Sequence, residues 1–125
     1  PMVICHKSRA KANEVAEMTI IGDVSGKDVI LVDDIVDTAG TICKAADLMM
    51  SNGARSVRAV ASHAVLSDPA TERINASSLK EMIFTDSIPL RKQSDKLHIV
   101  SVANVFAEAI SRVINHESIS ILYSI

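Results

Sequence analysis

The chain reads as an α/β domain, a mostly parallel sheet flanked by helices, and three observations predict it. Strand-like apolar runs alternate with helical patterns along all 125 residues. One of these runs, Val29-Ile30-Leu31-Val32, is continuously apolar, as in a strand covered by helices on both faces. It ends in two carboxylates, Asp33 and Asp34, followed by the small polar turn Asp37-Thr38-Ala39-Gly40-Thr41, which opens a helix. Ligands of open α/β sheets bind at such strand ends.

Taken in order, Met2–Cys5 predicts a short buried strand. His6 to Glu17 is polar, with Lys7, Arg9, Lys11, Glu14 and Glu17, and predicts a mobile loop. Met18–Ile21 is a strand, Gly22 to Gly26 a turn, and Lys27–Val32 the central strand. A helix starting near Ala39–Thr41 places Ile42, Ala45, Ala46, Met49 and Met50 on one face. Asn52-Gly53 ends it, with Gly53 as the left-handed residue beyond the cap. Val57–Ala61 is the next strand, with Ser62-His63-Ala64 at its carboxyl end. Asp68-Pro69 starts a helix running to about Asn75, with Pro69 in its first position. Glu81–Thr85 and His98–Val100 are two further strands. Val102, Val105, Phe106, Ala109, Ile110, Val113 and Ile114 then mark the cleanest amphipathic helix, with Glu108 and Arg112 paired on its outer face. The tail from Ser118 to Ile125 reads as a docked segment. Nothing in the sequence marks an internal repeat or linker, so residues 1–125 form a single domain.

Composition narrows the function. Hydrophobic residues make up 48% of the chain, enough for a substantial core. The 13 basic and 15 acidic residues give a net charge of −2 with no basic block, which argues against a nucleic-acid backbone or an anionic membrane as partner. Phe84, Phe106 and Tyr123 are the only aromatic residues, too few for a base-stacking platform. Cys5 and Cys43 read as reduced thiols of a cytoplasmic protein. No apolar run approaches a membrane span, and the four histidines lack the spacing of a zinc site.

The chemistry concentrates in residues 33–41. A turn of small residues at a helix N-terminus leaves backbone N–H groups pointing toward the positive end of the helix dipole, an arrangement suited to phosphate. Asp33 and Asp34 would repel a phosphate they touched, so they need another task. Carboxylates accept hydrogen bonds from paired hydroxyls, and a sugar phosphate supplies hydroxyls and phosphate on one molecule. The competing reading is a solvated loop with Thr38 or Thr41 as a simple helix cap. The ordered run favours the ligand site, because a cap does not require the paired acids behind it.

This run resembles the ribose-5-phosphate signature of the phosphoribosyl diphosphate synthetases (ribose-phosphate diphosphokinases), which are related to the phosphoribosyltransferases. The resemblance extends over nearly the whole chain. It includes Lys7-Ser8-Arg9 with Ala12-Asn13-Glu14-Val15, Ile20 to Lys27, Ser62 to Ser67, Ala70 to Ile74, Ser101-Val102-Ala103, Ala107 to Ile110 and the Ser118–Tyr123 tail. It implies a type I phosphoribosyltransferase-like domain, here partial. It further implies transfer of diphosphate from ATP to ribose 5-phosphate, releasing AMP and forming 5-phosphoribosyl 1-diphosphate. By the same resemblance Asp33, Asp34, Asp37, Thr38, Ala39, Gly40 and Thr41 bind ribose 5-phosphate, and Lys7 and Arg9 are catalytic loop cations. Ser118 and Ser120 become candidates for a regulatory phosphate or nucleotide site between subunits of a homo-oligomer.

The family's Mg²⁺- and adenine-binding elements find no match here and are expected upstream. Because the chain opens Pro1-Met2-Val3, close to an apparent strand, we expect the carboxyl-terminal part of a longer two-domain protein. His6 is expected to have no role, and His63 a structural one. Two alternatives remain open: a phosphoribosyltransferase, which shares the acids and the turn, and a non-catalytic synthetase-like regulatory subunit. The Lys7/Arg9 loop and the Ser118–Tyr123 tail argue against the first, and the intact site residues against the second.

Overall fold

The computed structural model describes residues 2–8 and 17–123. Strand β1 (Ile4–Ser8) pairs antiparallel with β2 (Glu17–Ile21) as a separate two-stranded sheet. The main sheet contains β3 (Asp28–Val36), β4 (Ser56–Ala64), β5 (Leu79–Thr85) and β6 (Leu97–Val100), all parallel and in the spatial order β3-β4-β5-β6. Helix α1 (Gly40–Ser51) joins β3 to β4, and α2 (Ala70–Ala76) joins β4 to β5. Helix α3 (Ala103–Ile114) and a 3₁₀ turn at Ser120–Tyr123 close the described chain. This is the expected α/β class.

The core lies between the sheet and the two crossover helices. Ile42, Cys43, Ala46 and Met49 of α1 join Val57, Ala59, Met82 and Phe84 of the sheet, and Ala70 and Ile74 of α2 extend the cluster. Met50, expected on the same helical face, is more than one-third exposed. Gly53 takes a φ of +88°, the left-handed geometry that favours glycine, as expected after the helix. Helix α2 begins at Ala70, which makes Pro69 its N-cap rather than its first residue.

Strand β3 departs from expectation in two ways. It is the edge strand of the sheet, not a central one. Nor is it buried on both faces: Val29 and Leu31 pack against the core, whereas Ile30 is 61% exposed and Val32 79%. An apolar run records that both faces are fit for burial, but burial needs a second layer, and the described residues place none over that face. Helix α3 shows the same thing from the other side. It forms where the periodicity predicts, with the Glu108–Arg112 ion pair at 2.9 Å, yet none of its residues is buried. The expected docked tail is likewise largely exposed, with Tyr123 76% accessible.

The expected loop from His6 to Glu17 proves partly regular, since β1 runs through Ser8 and β2 starts at Glu17. The remainder of that segment, Arg9 included, lies outside the described residues. Among the described residues no helix is long and apolar enough to cross a membrane.

Candidate functional site

Asp33 and Asp34 are still within β3, which the ladder with β4 carries on to Val36. Both are exposed near the strand's carboxyl end. Alternation along a strand sends their side chains to opposite faces. Asp33 accepts a hydrogen bond from the following Asp34 amide at 3.0 Å. It also lines, with Thr41, one end of a cleft of about 1000 Å³ between the β1–β2 pair and β3. The rest of that cleft is largely apolar, with Val3, Met18, Leu31 and Met49 along it, which suits hydrocarbon rather than phosphate. Besides Asp33 and Thr41, the polar side chains lining it are Asp23, Lys27 and Asp28.

Beyond Val36 the chain makes the expected turn. Asp37, Thr38 and Thr41 are exposed, Gly40 is half-buried, and Ala39 is buried. The turn is anchored from three sides. The Val36 carbonyl accepts hydrogen bonds from the amides of Val65 and Leu66, both at 3.1 Å. Ala39 inserts its methyl into the core beside Val36. Arg73 of α2 donates from Nη1 to the Thr38 carbonyl at 2.9 Å.

Ala39 is the N-cap of α1 and has left-handed geometry, φ +57°. A left-handed residue next to a helical one turns successive N–H groups toward one concave side, where an anion can sit. The competing reading of Thr38 or Thr41 as the helix N-cap fails, because Ala39 holds that position. The neighbouring Gly40 does not share the left-handed geometry. Its φ is ordinary, and a Cβ there would meet only Arg73 Nη1 at 3.8 Å and Thr38 Oγ1 at 3.9 Å. A methyl group there would sit in ordinary van der Waals contact with both.

The remaining candidates are placed as follows. Lys7 lies on β1 opposite Met18, on regular strand rather than in a loop, and Arg9 lies outside the described residues. Ser118 and Ser120 hydrogen-bond to each other through their hydroxyls at 2.7 Å, at the exposed end of α3. The Ser118 carbonyl also accepts from Arg112 Nη1 at 3.4 Å. His63 Nδ1 is 2.8 Å from Ser87 Oγ, consistent with a structural role at the end of β4. Cys5 and Cys43 are both free, and burial pushes each thiol above its ordinary range. Among the described residues no three His, Cys, Asp or Glu side chains converge as a metal site. Arg73 is the residue sequence reading missed. It is 35 positions from Thr38, and nothing local to its helix marks it.

The parallel sheet thus ends one strand in two adjacent acids and a turn with a left-handed residue at the head of a helix. The family described as the phosphoribosyl synthetase-associated domain matches residues 4–124, and the chain belongs to that family. It is 72% identical to a ribose-phosphate pyrophosphokinase of Porphyromonas gingivalis, over 98% of this chain and 39% of the relative. It is 55% identical to the enzyme of the same name from Helicobacter hepaticus, over 98% of this chain and 40% of that one. The crystal structure of phosphoribosylpyrophosphate synthetase from Mycobacterium smegmatis superposes with a TM-score of 0.84 at 36% identity, over 93% of this chain and 37% of that chain. The sequence thus spans about two fifths of the length of these relatives. That share agrees with the expectation of a partial domain; it lends no support to the expected carboxyl-terminal placement.

Proposed function

We propose that this chain carries the ribose-5-phosphate site of a ribose-phosphate diphosphokinase. The longer protein would transfer diphosphate from ATP to the 1-hydroxyl of ribose 5-phosphate, giving AMP and 5-phosphoribosyl 1-diphosphate. The observation that carries the reading is the turn after β3, with left-handed Ala39 at the head of α1 and Asp33 and Asp34 on the strand behind it. The amides from Thr38 to Thr41 take the 5-phosphate, and the carboxylates take the ring hydroxyls. The absence of a side chain at Gly40 lets the phosphate approach the backbone. The names and high identity of the relatives support the same activity.

Lys7 and Arg9 supply positive charge to the diphosphate in transfer, where such reactions depend mainly on positioning and cations. Mg²⁺ chemistry belongs to ligands elsewhere in the longer protein. Ser118 and Ser120 take a regulatory phosphate or nucleotide, and the protein works as a homo-oligomer, a reading supported by the uncovered apolar face of α3. The two free cysteines support a reducing, cytoplasmic setting.

The test is product identity. The full-length protein incubated with ATP, ribose 5-phosphate and Mg²⁺ is expected to release AMP in step with 5-phosphoribosyl 1-diphosphate. Failure to do so, with diphosphate release from the activated sugar and a base instead, would identify a phosphoribosyltransferase. Binding of the substrates without turnover would identify a regulatory subunit.

A further inference from the structure

We infer that Arg73 is the positioning residue of the anion turn: from α2 it fixes the Thr38–Ala39 peptide whose N–H faces the sugar phosphate. The inference rests on the function just proposed, and its argument is geometric. Arg73 Nη1 holds the Thr38 carbonyl at 2.9 Å and lies 3.8 Å from where a Gly40 Cβ would be, so the guanidinium is laid against the turn. A trans peptide is planar, with its C=O and N–H pointing in opposite directions. Holding the Thr38 oxygen toward α2 therefore aims the Ala39 N–H away from it. Ala39 needs such a hold, because a residue with a Cβ disfavours the left-handed region it occupies.

The anchor is firm. Ala70 and Ile74 on α2 are fully buried, and Lys92 ties the start of that helix through Asp68 at 2.5 Å and Glu72 at 3.0 Å. The charge of Arg73 is not taken up by an ion pair among the described residues. Arg55, Arg58 and Arg112 each hold a carboxylate, whereas Arg73 pairs with none among the described residues and meets a neutral carbonyl. Its positive charge adds to that of the α1 N-terminus, where a phosphate gains from both.

The experiment uses the full-length protein and three variants, Arg73→Ala, Arg73→Gln and Arg73→Lys. With Arg73→Ala the KM for ribose 5-phosphate is expected to rise about tenfold or more, the scale of one lost charge-assisted hydrogen bond. The KM for ATP should stay within about twofold and the melting temperature should be close to wild type, since a misaimed amide affects only the sugar site. Arg73→Lys, which keeps charge and donor, should recover most of the loss, and Arg73→Gln less. A second readout needs no substrate: amide hydrogen exchange across residues 37–42 should quicken in Arg73→Ala while β4 and β5 remain protected. Unchanged sugar KM and unchanged exchange in a folded variant would overturn the inference. So would equal losses in both substrates together with a lowered melting temperature, which is the mark of a merely structural residue. If the wild-type protein shows no use for ribose 5-phosphate, the proposed function fails, while the exchange measurement still decides whether Arg73 sets the turn.

Discussion

Asp33, Asp34 and Gly40 have separable tasks, and single substitutions should distinguish them. Each carboxylate in a charge-assisted hydrogen bond with a sugar hydroxyl contributes roughly 1.5–3 kcal/mol. Asp33→Ala or Asp34→Ala in the full-length protein should weaken ribose 5-phosphate binding about 10- to 150-fold. Calorimetry showing unchanged affinity in both variants would remove the acids from the site. Gly40 has ordinary backbone geometry and room for a side chain in the unliganded turn. Gly40→Val should therefore fold, with a melting temperature near wild type, and fail to bind the sugar phosphate because its methyls fill the phosphate's approach. Normal binding by the folded variant would refute this. For Lys7 and Arg9 the expected effect is on turnover. Lys7→Ala or Arg9→Ala should lower kcat by at least about a hundredfold, as loss of an oxyanion donor does. A change confined to KM would show that they only hold substrate.

Strands β3 and β4 are joined at their amino ends by a cluster that responds to acid. Asp28 accepts from Arg55 Nε at 3.1 Å and from Ser56 Oγ at 2.6 Å. These partners, Arg55 first and Ser56 next, hold its carboxyl well below the usual carboxylate range. A folded-state pKa below the unfolded one means that the unfolded chain takes up the proton first as pH falls. The stabilisation is therefore present above about pH 4, the ordinary aspartate value, and is lost below it. Asp28→Asn should flatten the acid limb of the stability–pH curve, read by denaturant unfolding between about pH 2 and 7. The cluster is exposed, so added salt should shrink the difference. An acid limb identical in both proteins would show that the cluster contributes nothing.

At the scale of the molecule, the uncovered surfaces decide behaviour. One face of the sheet exposes Ile30 and Val32, β3 has an edge unpaired among the described residues, and α3 exposes Val105, Phe106, Ile110, Val113 and Ile114. Apolar area of this kind seeks a partner, and an open strand edge offers one a ladder to extend. The 125-residue chain by itself is expected to self-associate, and Ile30→Lys with Val32→Lys should reduce the sedimenting mass without loss of helix or sheet signal. A monodisperse monomer at tens of micromolar would contradict this. The chain spans only about two fifths of its relatives, and in-line transfer tolerates little misplacement. By itself it should release no AMP from ATP and ribose 5-phosphate, and sustained enzyme-dependent release would show a complete active site here.

Local order was legible because local rules set it. The 3.6-residue spacing of Ile42, Ala46 and Met49 specifies α1, Gly53 specifies its end, and the alternation of strands with helices specifies a parallel sheet. The run from Asp33 to Thr41 marked the candidate site for the same reason: its chemistry is contiguous in the chain. What the sequence could not carry was neighbourhood. The apolar run Val29–Val32 shows that both faces of β3 are fit for burial, but strand order makes β3 an edge with one face open. The periodicity of α3 defines an apolar stripe without saying what covers it. Small residues mark a tight turn, yet only its anchoring by Val36, Ala39 and Arg73 assigns the left-handed geometry to Ala39 rather than to Gly40. Backbone preference acts over a few residues and can be read along the chain; burial, edges and a clamp reaching across 35 positions are set by three-dimensional packing.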